Sequence, residues 1–193
     1  MTVSNDANCA SYSEITSEHP RYLYLSLNES VGGGLIYQGK IFKGTTMQAG
    51  EFGHIILHPG GRQCYCGKKG CVDPYLSPLA LRKKGQTMED FFSLVEQGDE
   101  TAREKWDAYL EDLAILTTNL HMALNEIIII GGETGNYIEP YMEILRQKAG
   151  KYDLFARDVD YLFPTVRKNF AFSLGASMLA LQKYENLVLE KAP

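Results

Sequence analysis

A cluster of histidine and cysteine within Gly50–Asp73 is the feature that most restricts how this chain can fold. The intervals between its members are nine, one and four residues. Zn²⁺ takes four nitrogen and sulfur ligands in a tetrahedron, and short cysteine intervals containing glycine let the backbone turn around one ion. The spacing predicts a structural zinc knuckle with no open position for water. Its predicted ligands are His54, Cys64, Cys66 and Cys71.

The identity of the histidine ligand has an alternative, because His58 could also reach the cysteines. Disulfides in a secreted protein are the other interpretation of the thiols. The N-terminus has no apolar leader and no stretch is long enough to span a bilayer, so we expect a cytoplasmic protein with no membrane partner. Cys9 stands apart and is predicted to be a small buried residue.

Charge excludes one class of partner. The 193 residues carry a net charge of −5, and 45% of them are hydrophobic, which suits a packed core. The one basic run, Arg82 to Lys84, is interpreted as a solvated face. An acidic chain without a basic cluster binds a phosphate backbone poorly, so these residues are not expected to contact nucleic acid directly.

The first third of the chain predicts a helix and antiparallel strands. A helix is expected over Asp6–Glu18, and period-two alternation predicts a strand over Tyr22–Asn28. The triplet Gly32–Gly34 then leads into a hairpin that turns at Gln38–Gly39.

Two helices and a buried strand are predicted next. Thr87 and Asp90 form a capping-box pattern for a helix through Gln97, and Asp99 can cap a second helix with an apolar face from Trp106 onwards. Four consecutive isoleucines in the segment 126–132 predict a parallel strand covered on both faces.

The remaining segments complete an α/β pattern. A helix is expected over Asn136–Lys148, an irregular stretch through Phe163, and a final helix containing Gly175 before a frayed tail. A strand followed by a glycine turn and a helix is typical of α/β folds, in which ligands bind at the carboxyl ends of the strands.

Together these motifs resemble the ROK family of sugar kinases and sugar-responsive transcriptional repressors. The segments that carry the resemblance are NDAN at Asn5–Asn8, VGGG, GEFGH, the CxCGxxGC knuckle, IIIIGG and LGA. The resemblance implies the C-terminal, ribonuclease-H-like lobe of the actin, hexokinase and Hsp70 fold, with a mixed sheet flanked by helices and a zinc loop at 50–73. Residues 1–20 would form an inter-lobe helix and 21–193 the lobe, and the protein would form a homo-oligomer, expected to be a dimer.

The resemblance also implies a sugar site. Asn5 would bind the sugar, and Asp6 would bind it and act as the general base that deprotonates the reacting hydroxyl. Glu51 and His54 would bind sugar hydroxyls, His54 using its second ring nitrogen. Asp73 occupies the position of a family glutamate and is shorter by about 1.5 Å, so its sugar contact is expected to need a water or a shifted loop.

The phosphate turn of the family kinases is altered in this chain. A GTGIGGG-like sequence is replaced by Asn28 to Gly34, with Glu29 where phosphate charge would lie. Nucleotide contacts implied by the resemblance are Gly32, Gly33, Gly131 and Gly132. For the last two, a strand-to-helix turn is an equally good explanation.

Two functions follow from the resemblance. The altered turn favours the sugar-sensing domain of a ROK transcriptional regulator, with structural Zn²⁺. The alternative is the C-terminal lobe of an ATP-dependent sugar kinase for a hexose or N-acetylhexosamine, which would use ATP and Mg²⁺ and Asp6 as base. The family's first lobe and any DNA-binding domain are expected upstream of this chain, which alone should be inactive as an enzyme.

Overall fold

The computed structural model describes residues 5–16, 19–155 and 158–189. A five-stranded mixed sheet lies at its centre, with strand order β3-β2-β1-β4-β5. β1 pairs antiparallel with β2 and parallel with β4, β2 pairs antiparallel with β3, and β4 pairs parallel with β5. The strands are β1 (Tyr22–Leu27), β2 (Val31–Tyr37), β3 (Lys40–Phe42), β4 (Ile128–Gly131) and β5 (Leu162–Pro164).

Seven α-helices accompany the sheet within the described residues, together with short 3₁₀ turns. They are α1 (Asp6–Ser13), α2 (Asp73–Leu76), α3 (Met88–Gln97), α4 (Glu100–Leu124), α5 (Gly132–Gly135), α6 (Met142–Gly150) and α7 (Ala171–Leu189). The capping box predicted for α3 is present, since Thr87 and Asp90 exchange side-chain and backbone hydrogen bonds. Asp99 caps α4 as predicted, through its side chain and the N–H of Ala102.

The two faces of the sheet are covered by different helices. Leu23, Leu25 and Leu27 of β1 pack with α3, α4 and α6, whereas Tyr22 and Tyr24 pack with α1 and α7. This alternation follows from the period of two along a strand. Because both faces are buried, the central strands contain almost continuous apolar residues, as the isoleucines of β4 predicted.

The first predicted helix is wrong in its length. α1 ends at Ser13, not at residue 18, which lies outside the described residues. In a longer α-helix the carbonyl of Ser11 would accept from the N–H of Ile15. That carbonyl accepts instead from the phenol of Tyr22, at 2.6 Å, and from the N–H of Glu14. A tertiary contact therefore ends the helix before any helix-breaking residue.

Three further expectations change. The triplet Gly32–Gly34 lies inside β2 and does not precede it. The helix expected from Asn136 begins at Met142, after a 3₁₀ turn, because Pro140 lacks an N–H and disfavours a continuous helix there. The stretch expected to be irregular through Phe163 contains β5, whose three residues are too few for a periodic signal. The tail predicted to be frayed is helical through Leu189, the end of α7, and residues 190–193 lie outside the described residues.

No helix in the described ranges combines the length and the apolar character that crossing a bilayer requires.

Candidate functional site

The first half of β2, Val31–Gly34, is the surface on which the sequence motifs meet, and we call it the glycine segment. Gly32 and Gly34 face α1. A methyl group on Gly32 would lie 3.3 Å from Cβ of Ala7, and one on Gly34 would lie 2.3 Å from Oγ of Ser11. Glycine therefore lets the helix that follows Asp6 lie directly on the strand.

The GEFGH motif contacts the glycine segment from another side. A methyl group on Gly33 would lie 2.3 Å from the ring of Phe52, and one on Gly50 would lie 2.4 Å from the carbonyl of Gly33. Gly50 also has a φ of 94°, which favours glycine. These close contacts hold both ends of Glu51, which is exposed and precedes the 3₁₀ turn Phe52–His54.

Asp73 reaches the same segment. It is only 6% exposed, and its Oδ1 accepts a 2.7 Å hydrogen bond from the N–H of Val31. The structure thus brings three separate motifs, NDAN, GEFGH and the residue after the knuckle, onto four residues of one strand. This convergence has no counterpart in the sequence, because up to 68 positions separate the motifs.

The N-terminus of α1 presents two of the predicted sugar ligands. Asn5 is the N-cap, and its Oδ1 accepts from the N–H of Asn8 at 2.8 Å. Asp6 is exposed, and its Oδ1 accepts from the N–H of Ala7 at 2.9 Å. The helix dipole and free N–H groups favour a carboxylate at this position. Asp6 is therefore an accessible carboxylate on a fixed backbone, as a general base requires.

The four predicted metal ligands form one group, which we call the metal cluster. The ligand atoms of His54, Cys64, Cys66 and Cys71 all lie within 4.8 Å of one another. Sγ of Cys66 is 3.7 Å from Sγ of Cys71, and Nδ1 of His54 is 3.8 Å from Sγ of Cys64. These separations match the edge of a tetrahedron around Zn²⁺ with bonds of about 2.3 Å, roughly 3.8 Å.

The thiols of the metal cluster are chemically suited to a cation. None of the cysteines forms a disulfide. Burial raises the pKa of the Cys71 thiol to about 11, and hydrogen bonds with the other thiols raise it too. A backbone hydrogen bond from Lys68 lowers the pKa of Cys66. The set could hold a metal ion, and such binding would displace protons from the thiols.

His58, the alternative histidine ligand, points elsewhere. Its Nε2 lies 2.6 Å from Oδ1 of Asp112 on α4, and its ring packs against Tyr75 at 4.6 Å between centroids. It therefore attaches the knuckle to the helical layer and is not one of the residues in the metal cluster.

Tyr65 is a neighbour of the site that the sequence analysis missed. Its Oη lies 3.2 Å from Nε2 of His54 and 3.1 Å from Oγ of Ser30. The nitrogen that the resemblance assigns to a sugar hydroxyl thus faces a phenol in this structure. The available signal was the position of an aromatic residue between two predicted ligands, Cys64 and Cys66.

The turn between β1 and β2, Asn28–Ser30, has a charged neighbour that was interpreted wrongly from the sequence. Arg82 is not a solvated residue, since its side chain is only 13% exposed. Its guanidinium lies 3.7 Å from Glu29 and 3.5 Å from Glu133, and it donates to the carbonyl of Gln86. The negative charge of Glu29 is therefore partly offset, which sequence proximity could not reveal.

Local packing and backbone conformation explain why glycine occupies positions 131 and 132. A methyl group on Gly131 would lie 2.0 Å from the phenol oxygen of Tyr24, and Gly132 has a φ of 86° beside the backbone of Leu27. The N–H of Glu133 also donates to Oδ1 of Asn28 at 2.8 Å, which joins this turn to the β1–β2 turn. Nucleotide contacts at these glycines, and at Gly32 and Gly33, stay predictions.

Known proteins resemble this chain over most of its length. The family model described as the ROK family matches residues 1–183. An N-acetyl-D-glucosamine kinase from Aliivibrio salmonicida is 36% identical over 166 residues, covering 75% of this chain and 55% of the kinase. The chain thus spans about half the length of this curated relative.

Solved structures agree with the fold. The ROK hexokinase from Thermus thermophilus superposes with a TM-score of 0.80 at 26% identity, covering 95% of this chain and 65% of the hexokinase. A ROK family transcriptional regulator, a homolog of the E. coli MLC protein, has a TM-score of 0.79 at 21% identity, covering 98% of this chain and 54% of the regulator. With the family model matching nearly every residue, the chain belongs to the ROK family.

Proposed function

We propose that this chain is the sugar-binding lobe of an ATP-dependent ROK sugar kinase, acting on an N-acetylhexosamine or a related hexose. The observation that carries the proposal is that Asp73 and the neighbours of Asp6 and Glu51 along the chain all pack on the glycine segment. The similarity to N-acetyl-D-glucosamine kinases supports this substrate class. In this proposal Asn5, Glu51, His54 and Asp73 bind sugar hydroxyls.

Asp6 is the proposed general base. An exposed carboxylate at a helix N-terminus can take the proton from the reacting hydroxyl as the phosphoryl group is transferred. Such a transfer depends mainly on positioning and on stabilising charge. Here the close packing of α1 on β2 supplies the positioning, because it leaves the backbone around Asp6 little freedom to shift. ATP with Mg²⁺ would be the phosphoryl donor.

The metal cluster has a structural role in this proposal. Bound Zn²⁺ would have four protein ligands and would fix the orientation of the His54 ring and the fold of the knuckle. The remaining ring nitrogen of His54 could then donate to a sugar hydroxyl in a defined direction. Asp73 would use its second carboxylate oxygen, since the first already accepts from Val31.

Two observations make the kinase a better proposal than the regulator, which the altered turn alone favoured. Glu29 is paired with Arg82, so its charge repels phosphate less than the sequence suggested. In addition, none of Asn28, Glu29 and Ser30 has a positive φ, so the turn does not need the missing glycines in this conformation.

A sugar-responsive regulator is the second candidate, and one observation favours it. The side chain of Glu29 is 78% exposed, so its pairing with Arg82 leaves much of the carboxylate facing solvent at the turn. A lobe with this turn could bind sugar without turning over ATP. Dimerisation, a cytoplasmic location and the lack of direct nucleic-acid contact remain predictions in both cases.

The discriminating experiment uses the complete protein that contains this chain. ADP release is measured with N-acetyl-D-glucosamine, N-acetyl-D-mannosamine and glucose, and sugar affinity is measured separately by calorimetry. For the kinase, Asp6→Asn should lower kcat about 10²-fold or more, because the base is lost, and should change the sugar Kd only slightly. Asp158→Asn, an exposed carboxylate in the segment before β5, is the matched control and should keep normal turnover.

Two results would contradict the kinase. Sugar binding by the wild-type protein without ATP binding or ADP release would favour the regulator. Normal kcat in Asp6→Asn would remove Asp6 from the proposed role of base.

A further inference from the structure

The phenol of Tyr65 connects the proposed sugar site with the β1–β2 turn. Tyr65 is 70% exposed, and its Oη lies within hydrogen-bond distance of both Nε2 of His54 and Oγ of Ser30. The rings of Tyr65 and His54 meet edge to face, with centroids 5.3 Å apart. One side chain thus contacts a predicted sugar ligand and a residue of the turn at the same time.

The direction of these hydrogen bonds follows from the metal cluster. Nδ1 of His54 faces Sγ of Cys64 and would be the nitrogen that binds a cation. A neutral imidazole bound through Nδ1 carries its only proton on Nε2. Nε2–H then donates to the phenol oxygen of Tyr65, and the phenol shares a second hydrogen bond with Oγ of Ser30, in which either hydroxyl can be the donor.

We propose that Tyr65 is a positioning residue that competes with the sugar for Nε2 of His54. The inference rests on the proposed function, because it requires a sugar hydroxyl at His54. A single N–H makes one strong hydrogen bond, so a hydroxyl that accepts it displaces the phenol. Displacement also removes the hydrogen bond between Tyr65 and Ser30, and sugar binding thereby releases the β1–β2 turn.

The exposure of Tyr65 sets the size of the effect. A phenol that is mostly in water can exchange its partner for solvent at little cost, so the competition is modest and reversible. When only a fraction of the protein molecules is in the conformation that can bind a ligand, the apparent affinity for that ligand falls in proportion to the fraction. Removing the competing hydroxyl should therefore tighten sugar binding about fivefold, which corresponds to one hydrogen bond of ordinary net strength.

The test is a calorimetric titration of the zinc-loaded protein with N-acetyl-D-glucosamine. Tyr65→Phe should lower the Kd about fivefold. Tyr75→Phe is the matched control, since the Tyr75 phenol accepts from the N–H of Arg62 in the same knuckle and does not contact His54. It should leave the Kd unchanged. An unchanged or higher Kd in Tyr65→Phe would overturn the proposal.

A second pair of variants tests the connection to the turn. Ser30→Ala removes the other partner of the phenol and should lower the Kd by about twofold. Combining it with Tyr65→Phe should add nothing to the effect of Tyr65→Phe alone, because both act through one phenol. Additive effects would contradict the connection.

Two readouts separate this inference from the proposed function. Glu51→Gln should weaken sugar binding if the proposed site is right, and wild-type affinity in that variant, or no sugar binding by any form, would contradict the function itself. In the sugar-free protein, the Nε2 proton of His54 should exchange with water faster in Tyr65→Phe than in Tyr75→Phe. Equal exchange rates would overturn the competition whether or not this sugar is the ligand.

Discussion

Single residues shape the proposed sugar site in two ways, by leaving space for a neighbour or by making a directed hydrogen bond. Gly33 is an example of the first kind, since its missing side chain leaves room for the ring of Phe52 beside the carbonyl of Tyr24. Asp73 is an example of the second, because one carboxylate oxygen fixes the start of β2. Both residues shape the proposed sugar site from within the fold.

At this scale we predict the effect of Gly33→Ala. The added methyl group would lie 2.3 Å from Phe52 and 2.7 Å from the carbonyl of Tyr24, so something must shift. Such overpacking costs about 1–3 kcal/mol, and displacement of Phe52 should also move Glu51 and lower sugar affinity. Chemical denaturation and sugar titration measure the two effects.

Gly150→Ala is the control for that substitution. A methyl group at Gly150 would make an ordinary 3.7 Å contact with Val159, so stability should be unchanged or slightly higher. Equal stability of the two alanine variants would show that the close contact at Gly33 relaxes without cost.

The knuckle contains little regular secondary structure, so side-chain contacts contribute more to its conformation than to that of the helices and strands. Isolated bridges, such as that between Ile56 and Cys71, and scattered backbone hydrogen bonds, such as that from the N–H of Leu57 to the carbonyl of Gly70, hold its turns together. His58 fastens it to α4 through Asp112. A cation bound by the metal cluster would add four bonds to this irregular set of contacts.

We predict that Cys71→Ser releases zinc and loosens the knuckle. Losing one thiolate leaves an incomplete coordination sphere, and His54 loses its fixed orientation. Zinc content should fall from about one equivalent, and sugar affinity should fall about 10–100-fold. The helical signal in circular dichroism should be retained, because α3, α4 and α6 pack on the sheet mainly through residues outside the knuckle.

Cys9→Ala is the control in this case, because Cys9 is a cysteine of α1 outside the metal cluster. It should keep a full equivalent of zinc. Full sugar affinity in a zinc-free Cys71→Ser protein would contradict the dependence of the sugar site on the metal.

For the whole molecule, the packing of α4 against α6 includes a charged contact at the edge of the core. Lys148 is 8% exposed and lies 2.8 Å from Glu111 and 2.9 Å from Asp107. Hydrogen bonds from Lys148 and Tyr152 hold the pKa of the Glu111 carboxyl below its usual value. A carboxyl whose pKa is lower in the folded state stabilises the fold above its unfolded pKa, and that contribution is lost as pH falls through the folded pKa.

We therefore predict that Glu111→Gln lowers the free energy of unfolding by about 1 kcal/mol at pH 7 and by less under acid conditions. The difference between wild type and variant should shrink as pH falls from about 5 towards 3, where the wild-type carboxylate becomes protonated. Urea denaturation across this range measures it. Glu104→Gln, an exposed glutamate of α4, is the control and should follow the wild type at every pH. A constant difference between Glu111→Gln and wild type would contradict the assignment.

Much of the fold could be predicted because short sequence patterns specify individual helices, strands and turns. The isoleucines of β4, the caps at Thr87 and Asp99, and the turn at Gln38–Gly39 each specify their element within a few residues. The grouping of the four residues of the metal cluster was likewise predictable, since three of them are cysteines within eight positions. The end of α1 was not, because a phenol from β1 takes the carbonyl of Ser11.

The amino-acid order alone determined most of the elements, the family and the composition of the metal cluster, because each of these depends on neighbours close along the chain. Only the tertiary structure decided how these parts meet. Motifs from distant segments pack on Val31–Gly34. Arg82, which the sequence suggested was solvated, pairs with Glu29. The phenol of Tyr65 lies against Nε2 of His54. Contacts of this kind are set by how strands and helices pack in three dimensions, and no spacing along the chain encodes them.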